Sequence, residues 1–147
     1  MRRLVRSVGL ALAGVGLCVG LANAGAADPV AGDWSTGGRT VVRIGPCAGA
    51  PARMCGVIVA MANGRDGRPL LDSQNPDPKL KTRALVGLPL IFGFRSAGGG
   101  RWADGKIYNP DDGKTYDAKL EPGPGGTLRV SGCVLFLCKA QTWRRPT

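Results

Sequence analysis

After residue 30, apolar and polar positions alternate with a period of two in short runs, and turn residues separate the runs. Trp34 closes a short first run. From Thr40 to Ile44, Val42 and Ile44 fall on one face, with Val41 and Arg43 on the other. Cys55 to Met61 is apolar and rich in β-branched residues. Leu88 to Arg95 places Leu90, Phe92 and Phe94 together. Arg101 to Asn109 sets Trp102, Asp104, Lys106 and Tyr108 against Ala103, Gly105 and Ile107. Lys114 to Leu120 puts Tyr116, Ala118 and Leu120 on one side. Leu128 and Val130 share a face, and Lys139 to Arg144 ends the series. Eight strands are predicted.

Turn chemistry supports the joins. In Asn109-Pro110-Asp111-Asp112-Gly113 the proline fixes φ, the aspartates bond the local backbone and the glycine accepts a positive φ. Gly98-Gly99-Gly100 and Pro122-Gly123-Pro124-Gly125-Gly126 are further breaks. Successive hairpins at this spacing predict an all-β antiparallel meander. Eight strands of this kind close into an up-and-down barrel, which removes exposed sheet edges. Its interior is wide enough to be filled by side chains or to hold one small ligand.

One segment breaks the rhythm. Ala62 to Gly87 joins the third and fourth strands over a length beyond the usual connection. Asp72, Asn75, Pro76, Asp77 and Pro78 open it with turn chemistry. Lys79 to Val86 is predicted as a short helix with Leu80 and Leu85 turned inward. The whole connection reads as an ordered flap or plug on one end of the barrel.

The first 26 residues change where this protein is expected to work. Arg2, Arg3 and Arg6 precede an apolar stretch from Val8 to Leu21, followed by A-x-A sites at Ala22-Asn23-Ala24 and Ala24-Gly25-Ala26. That order predicts a secretory signal peptide cleaved after Ala26, and hence a periplasmic or secreted protein. The expected mature domain, 27–147, has 121 residues, enough for one core. No other segment reads as a membrane span. Cys18 is a poor lipid-anchor site because Leu17 precedes it, where such processing needs a small residue.

Composition then narrows the chemistry. Losing three arginines lowers the basic count from 20 to 17 against 10 acids, a net charge of +7. The basic residues are scattered, and Lys79, Lys81 and Arg83 form the only tight cluster. Few aromatics interleave with them, which argues against a nucleic-acid platform. There is no histidine. That excludes Ser-His-Asp and Cys-His catalysis and removes the commonest metal ligand. No metal or other cofactor is implied.

Four cysteines remain after the signal: Cys47, Cys55, Cys133 and Cys138. An even count in an exported chain reads as two disulfides with three possible pairings. Cys47–Cys55 and Cys133–Cys138 are preferred, since each would staple one hairpin.

Two sets of side chains are candidate ligand contacts. Trp102 and Tyr108 share a face with Asp104 and Lys106, and Tyr116 returns across the hairpin, so the three rings would line a lumen. The competing reading packs Trp102 and Tyr108 beneath the long connection. Lys106 fits an apolar lumen only at its rim or paired with Asp104. The second set is Asp72, Asn75 and Arg83, which would grip a polar head near the barrel mouth. The competing reading makes Asp72 and Asn75 turn-formers and pairs Arg83 with a neighbouring acid. Asp111 and Asp112 are adjacent in a tight turn and unsuited to paired acid–base work. Asp72, Asp104, Lys106 and the tyrosines would be the groups of an enzyme, but no catalytic motif joins them.

The chain resembles the exported bacterial family catalogued as domain of unknown function 2147. The residues that carry the likeness are Gly32-Asp33-Trp34, Val42-Arg43-Ile44 with Cys47, and Cys55-Gly56. They continue as Asp72-Ser73-Gln74-Asn75-Pro76-Asp77, Arg83, and Gly87-Leu88-Pro89-Leu90. The most specific run is Trp102 to Tyr116, followed by Gly132-Cys133, Cys138 and Gln141 to Arg145. The resemblance implies a lipocalin-like barrel and no established activity. It also implies that Trp34 closes the barrel floor with an arginine across its ring, Arg145 in the matching position and Arg144 the alternative. A non-enzymatic protein that binds a small, partly apolar ligand in or at the barrel mouth is the expected function. An envelope scaffold with a filled barrel and a partner on its surface is the alternative.

Overall fold

The structure, a computed structural model, describes residues 27–147, so the expected signal peptide lies outside the described residues. Eight strands follow in order: β1 (Gly32–Ser35), β2 (Val41–Cys47), β3 (Ala50–Ala60), β4 (Pro89–Gly98), β5 (Arg101–Asn109), β6 (Lys114–Pro122), β7 (Leu128–Val134) and β8 (Leu137–Trp143). Each pairs antiparallel with the next in one meander. The sheet curls until its two ends touch at a single bridge, where Ser35 and Arg144 exchange backbone hydrogen bonds of 2.7 and 3.1 Å. Among the described residues, no helix is long and apolar enough to cross a membrane.

The inside of the curl is occupied by side chains. Trp34, Trp143 and Phe94 are the largest fully buried ones, packed in one cluster with Val42, Ile44, Ile58 and Leu120. Trp34 donates its indole N–H to the Val30 carbonyl at 2.8 Å, so the buried ring leaves no donor unpaired. Arg145 lies over that ring at 3.7 Å from its centroid, and Arg144 instead supplies the backbone bridge. The Arg145 guanidinium also donates to the carbonyls of Ala31, Asp33 and Pro29. Arg145→Ala is expected to cost about 1–2 kcal/mol, from the cation–π contact and the charged hydrogen bonds at an exposed site. Chemical denaturation of the two proteins side by side measures it, and equal midpoints would contradict it.

Two bulges correct the expected faces. Between Met54 opposite Phe94 and Gly56 opposite Ile91, β4 carries one residue more than β3, and Gly93 takes φ +63° there. Phe92 therefore leaves the face of Phe94. It sits opposite Lys106, partly in solvent, while Ile91 turns into the core. On β5, Ala103 and Asp104 oppose the single residue Lys119, with Asp104 at φ +54°. One extra residue reverses every side chain beyond it. Trp102 and Gly105 both face inward, opposite Leu120 and Ala118, whereas Lys106 and Tyr108 occupy the outer face. Lys106 pairs with Asp117 on β6 and not with Asp104.

The expected helix over Lys79–Val86 is replaced by one 3-10 turn, Pro78–Leu80, capped by the Asp77 carboxylate. The backbone after it has other partners. Leu85 N–H donates to the Leu70 carbonyl and Asp72 N–H to the Arg83 carbonyl, making a bridge between Leu71 and Ala84. Those bonds fold the connection back on itself and take groups a helix would need. Leu85 is buried and Leu80 half-buried.

Both preferred disulfides are present, Cys47–Cys55 and Cys133–Cys138. They close loops of 8 and 5 residues, so each is expected to contribute about 2 kcal/mol, the low end for such cross-links. Reduced protein should unfold at a lower denaturant midpoint than oxidised protein. Identical midpoints would show that neither bridge stabilises the fold.

Candidate functional site

The long connection packs on the outer face of β4, β5 and β6, and a completely buried carboxylate holds it there. The Tyr108 hydroxyl donates to Asp72 Oδ1 at 2.5 Å. Asp72 Oδ2 accepts from Asn75 Nδ2 at 2.8 Å, and from Arg83 through Nε at 2.9 Å and a terminal nitrogen at 2.8 Å. Asn75 also donates to the Tyr108 oxygen at 3.2 Å, and its own carbonyl caps Asp77 N–H. Every buried side-chain polar atom in this knot therefore has a partner, the condition for burying a charge at tolerable cost. Gly113 completes the seam. A Cβ there would stand 1.9 Å from the Gln74 carbonyl oxygen, so only glycine lets the β5–β6 turn meet the connection.

The electrostatics follow from that geometry. Burial drives the Asp72 carboxyl upward. Hydrogen bonds from Tyr108, Asn75 and Arg83, with the Arg83 charge, outweigh it and hold the group below the ordinary carboxylate range. Tyr108 moves the other way, raised by burial and then by its bond to the Asp72 anion. At neutral pH the knot is thus a carboxylate, a neutral phenol and a guanidinium.

Beside the knot lies a groove of about 300 Å³ lined by Asn75, Pro76, Arg83, Pro89, Phe92, Tyr108, Gly113 and Thr115. Phe92, Pro76 and Pro89 give it an apolar wall. Arg83, Asn75 and Thr115 give it polar groups, and Asp72 sits behind them. The Arg83 side chain is 37% exposed, and its donors beyond the two given to Asp72 make no hydrogen bond among the described residues.

Three of the six side chains proposed from sequence as ligand contacts line this groove: Asn75, Arg83 and Tyr108. Asp72 supports them from behind. Trp102 and Tyr116 stand elsewhere, which corrects the expected common wall of three rings. Trp102 packs inside the curl and donates its indole N–H to Asp28. Tyr116 stands opposite Ile107, and its hydroxyl donates to Asp112. That bond lowers Asp112 and raises Tyr116 relative to their ordinary values, on an exposed turn. Phe92, Pro89 and Thr115 were missed. Gly93 beside Phe92 was the available signal, because a glycine inside a strand pattern marks a bulge. Among the described residues, no three Cys, Asp or Glu side chains gather as a metal site would require.

Residues 32–145 match the model of a family described as an uncharacterized protein conserved in bacteria, DUF2147. The chain belongs to that family. The resemblance seen in the sequence is therefore real, and it spans the strands and the connection of this DUF2147 protein alike. Its fold is also similar to that of a solved structure described as protein HP1028 from the human pathogen Helicobacter pylori, which belongs to the lipocalin family. The TM-score is 0.64 at 22% identity, over 80% of this chain and 82% of that one. The fold of the DUF2147 chain is lipocalin-like. No curated protein matches it.

Proposed function

We propose that this DUF2147 protein is an exported, non-enzymatic binding protein, and that its ligand is small, partly apolar and carries a hydrogen-bond-accepting head. The ligand occupies the outer groove and not the inside of the curl. The observation that carries this reading is the pairing of an apolar wall at Phe92, Pro76 and Pro89 with an Arg83 guanidinium that has spare donors. A carboxylate is the simplest head for such a site, since charged hydrogen bonds to guanidinium are strong and directional. The interior has its own tenants in Trp34, Trp143 and Phe94, which argues for the groove. The lipocalin-like fold and the order of the first 26 residues support the rest.

Calorimetric titration with octanoate, and with octanol as the neutral-headed control, tests the site. Octanoate is expected to bind and octanol to bind more weakly. Phe92→Ala is expected to weaken octanoate about tenfold, the equivalent of about 1.4 kcal/mol of apolar contact. Thr115→Val reports on the polar end. Binding that ignores both substitutions would contradict the assignment. Export has its own test: chain produced in a bacterial host with residues 1–26 intact should reach the periplasm beginning at Ala27. Full-length cytosolic protein with free thiols would contradict it.

A further inference from the structure

The last strand has an open edge. The backbone N–H and C=O of Arg144 turn toward Ser35, away from β7. Backbone groups alternate along a strand, so those of Cys138, Ala140 and Thr142 point the same way. The β7–β8 hairpin gives the same answer, because its two-residue turn at Leu135-Phe136 makes Val134 and Leu137 the closing pair. Among the described residues, no hydrogen bond engages the outward groups of Cys138, Ala140 and Thr142. All three residues are exposed. The edge carries no proline and no bulge, two of the usual protections against strand addition, and a single charge, Lys139. At its end stands an apolar turn with Val134, Leu135, Phe136 and Leu137 exposed by 56, 88, 87 and 71%, clasped by Cys133–Cys138.

We propose that two copies of this chain associate through their β8 strands, antiparallel about a two-fold axis at Ala140. That register sets Cys138 opposite Thr142 of the other copy and Ala140 opposite Ala140. Every free edge group then gains a partner. The neighbouring registers do worse. One centred on Lys139 sets two ammonium groups face to face. One centred on Gln141 assigns Cys138 to Arg144, whose groups Ser35 already holds. In the Ala140 register Lys139 meets Gln141, and Leu137 meets Trp143. Each apolar turn comes to the Trp143 end of the other strand, where its exposed side chains leave water. The smallest side chain of the strand sits on the axis.

Sedimentation of the oxidised mature protein over a range of concentrations tests the pairing. A monomer–dimer equilibrium is expected. Ala140→Pro is the informative variant, because the Ala140 N–H points outward and its loss takes no bond from the β7–β8 ladder. Its near-ultraviolet circular dichroism should match the parent, and its dimer dissociation constant should rise about tenfold or more, from two lost axial hydrogen bonds. In the parent protein, amide exchange at Cys138, Ala140 and Thr142 should slow as concentration rises. A monomer up to the solubility limit overturns the proposal. So does a dimer whose formation leaves those three amides unprotected, or one that Ala140→Pro leaves intact.

Discussion

Arg83→Ala is expected to lower folding stability by about 3 kcal/mol at neutral pH, near the low end for breaking a buried ion pair, because the guanidinium itself is partly in solvent. The loss falls on Asp72, which is fully buried and keeps only Tyr108 and Asn75 as partners. The pH dependence carries the signature. In the parent protein the Asp72 carboxyl is held below its ordinary value, so its stabilisation is complete above an unfolded carboxylate pKa of about 3.9 and fades as pH falls through the folded value. Without Arg83, burial has less to oppose it and the folded value moves up from its place in the parent. The charged form is then less stabilised than in the parent, while the protonated form loses much less. The deficit of Arg83→Ala against the parent should therefore shrink as pH is lowered through the variant's folded value, toward conditions where Asp72 is protonated in both proteins. Asp33 and Asp112 also sit below the ordinary range, but they are common to both proteins and cancel. Urea unfolding at several pH values measures the difference. A deficit that is small, or constant with pH, would show that Asp72 does not depend on Arg83.

Gly105→Ala is expected to cost about 2–3 kcal/mol, the range for forcing an extra methyl group into a packed core. A Cβ at that position would fall 2.2–2.4 Å from three atoms of the Phe94 ring. The ring is fully buried, so it has nowhere to go. A buried benzyl group is worth about 1.5–3 kcal/mol to the core, which makes its displacement expensive. Phe94→Leu combined with Gly105→Ala should recover part of the loss, and the coupling between the two sites is read from a double-mutant cycle. Additive losses would mean that ring and glycine do not meet.

The eight strands were legible because most positions keep the period-two pattern, and because Asn109–Gly113 and the glycine runs mark the turns. The long connection was legible as an interruption. The two bulges were not. An extra residue at Asp104 leaves an apolar–polar string that reads equally well without it, and at Gly93 the glycine is the one mark of it, yet the two move Phe92 and Tyr108 to the other side of the sheet. The absent helix has a similar cause. Lys79 to Val86 has an acceptable local preference, and the bonds from Asp72 to Arg83 and Leu85 to Leu70 are long-range facts that override it. Asp72, Asn75 and Arg83 could be read together from sequence because they share one segment, and in the structure they meet. Tyr108 joins them from 36 residues away in sequence, and only the bulge at Asp104 makes that meeting possible.

Backbone and side-chain NMR of labelled residues 27–147, titrated with octanoate, tests the location of the site most directly. Saturable shifts are expected at Asn75, Arg83, Phe92 and Thr115, with the Trp34 and Trp143 indole signals unmoved. Shifts centred on those two indoles and the Phe94 ring, with the outer residues silent, would place the ligand inside the curl and contradict the account.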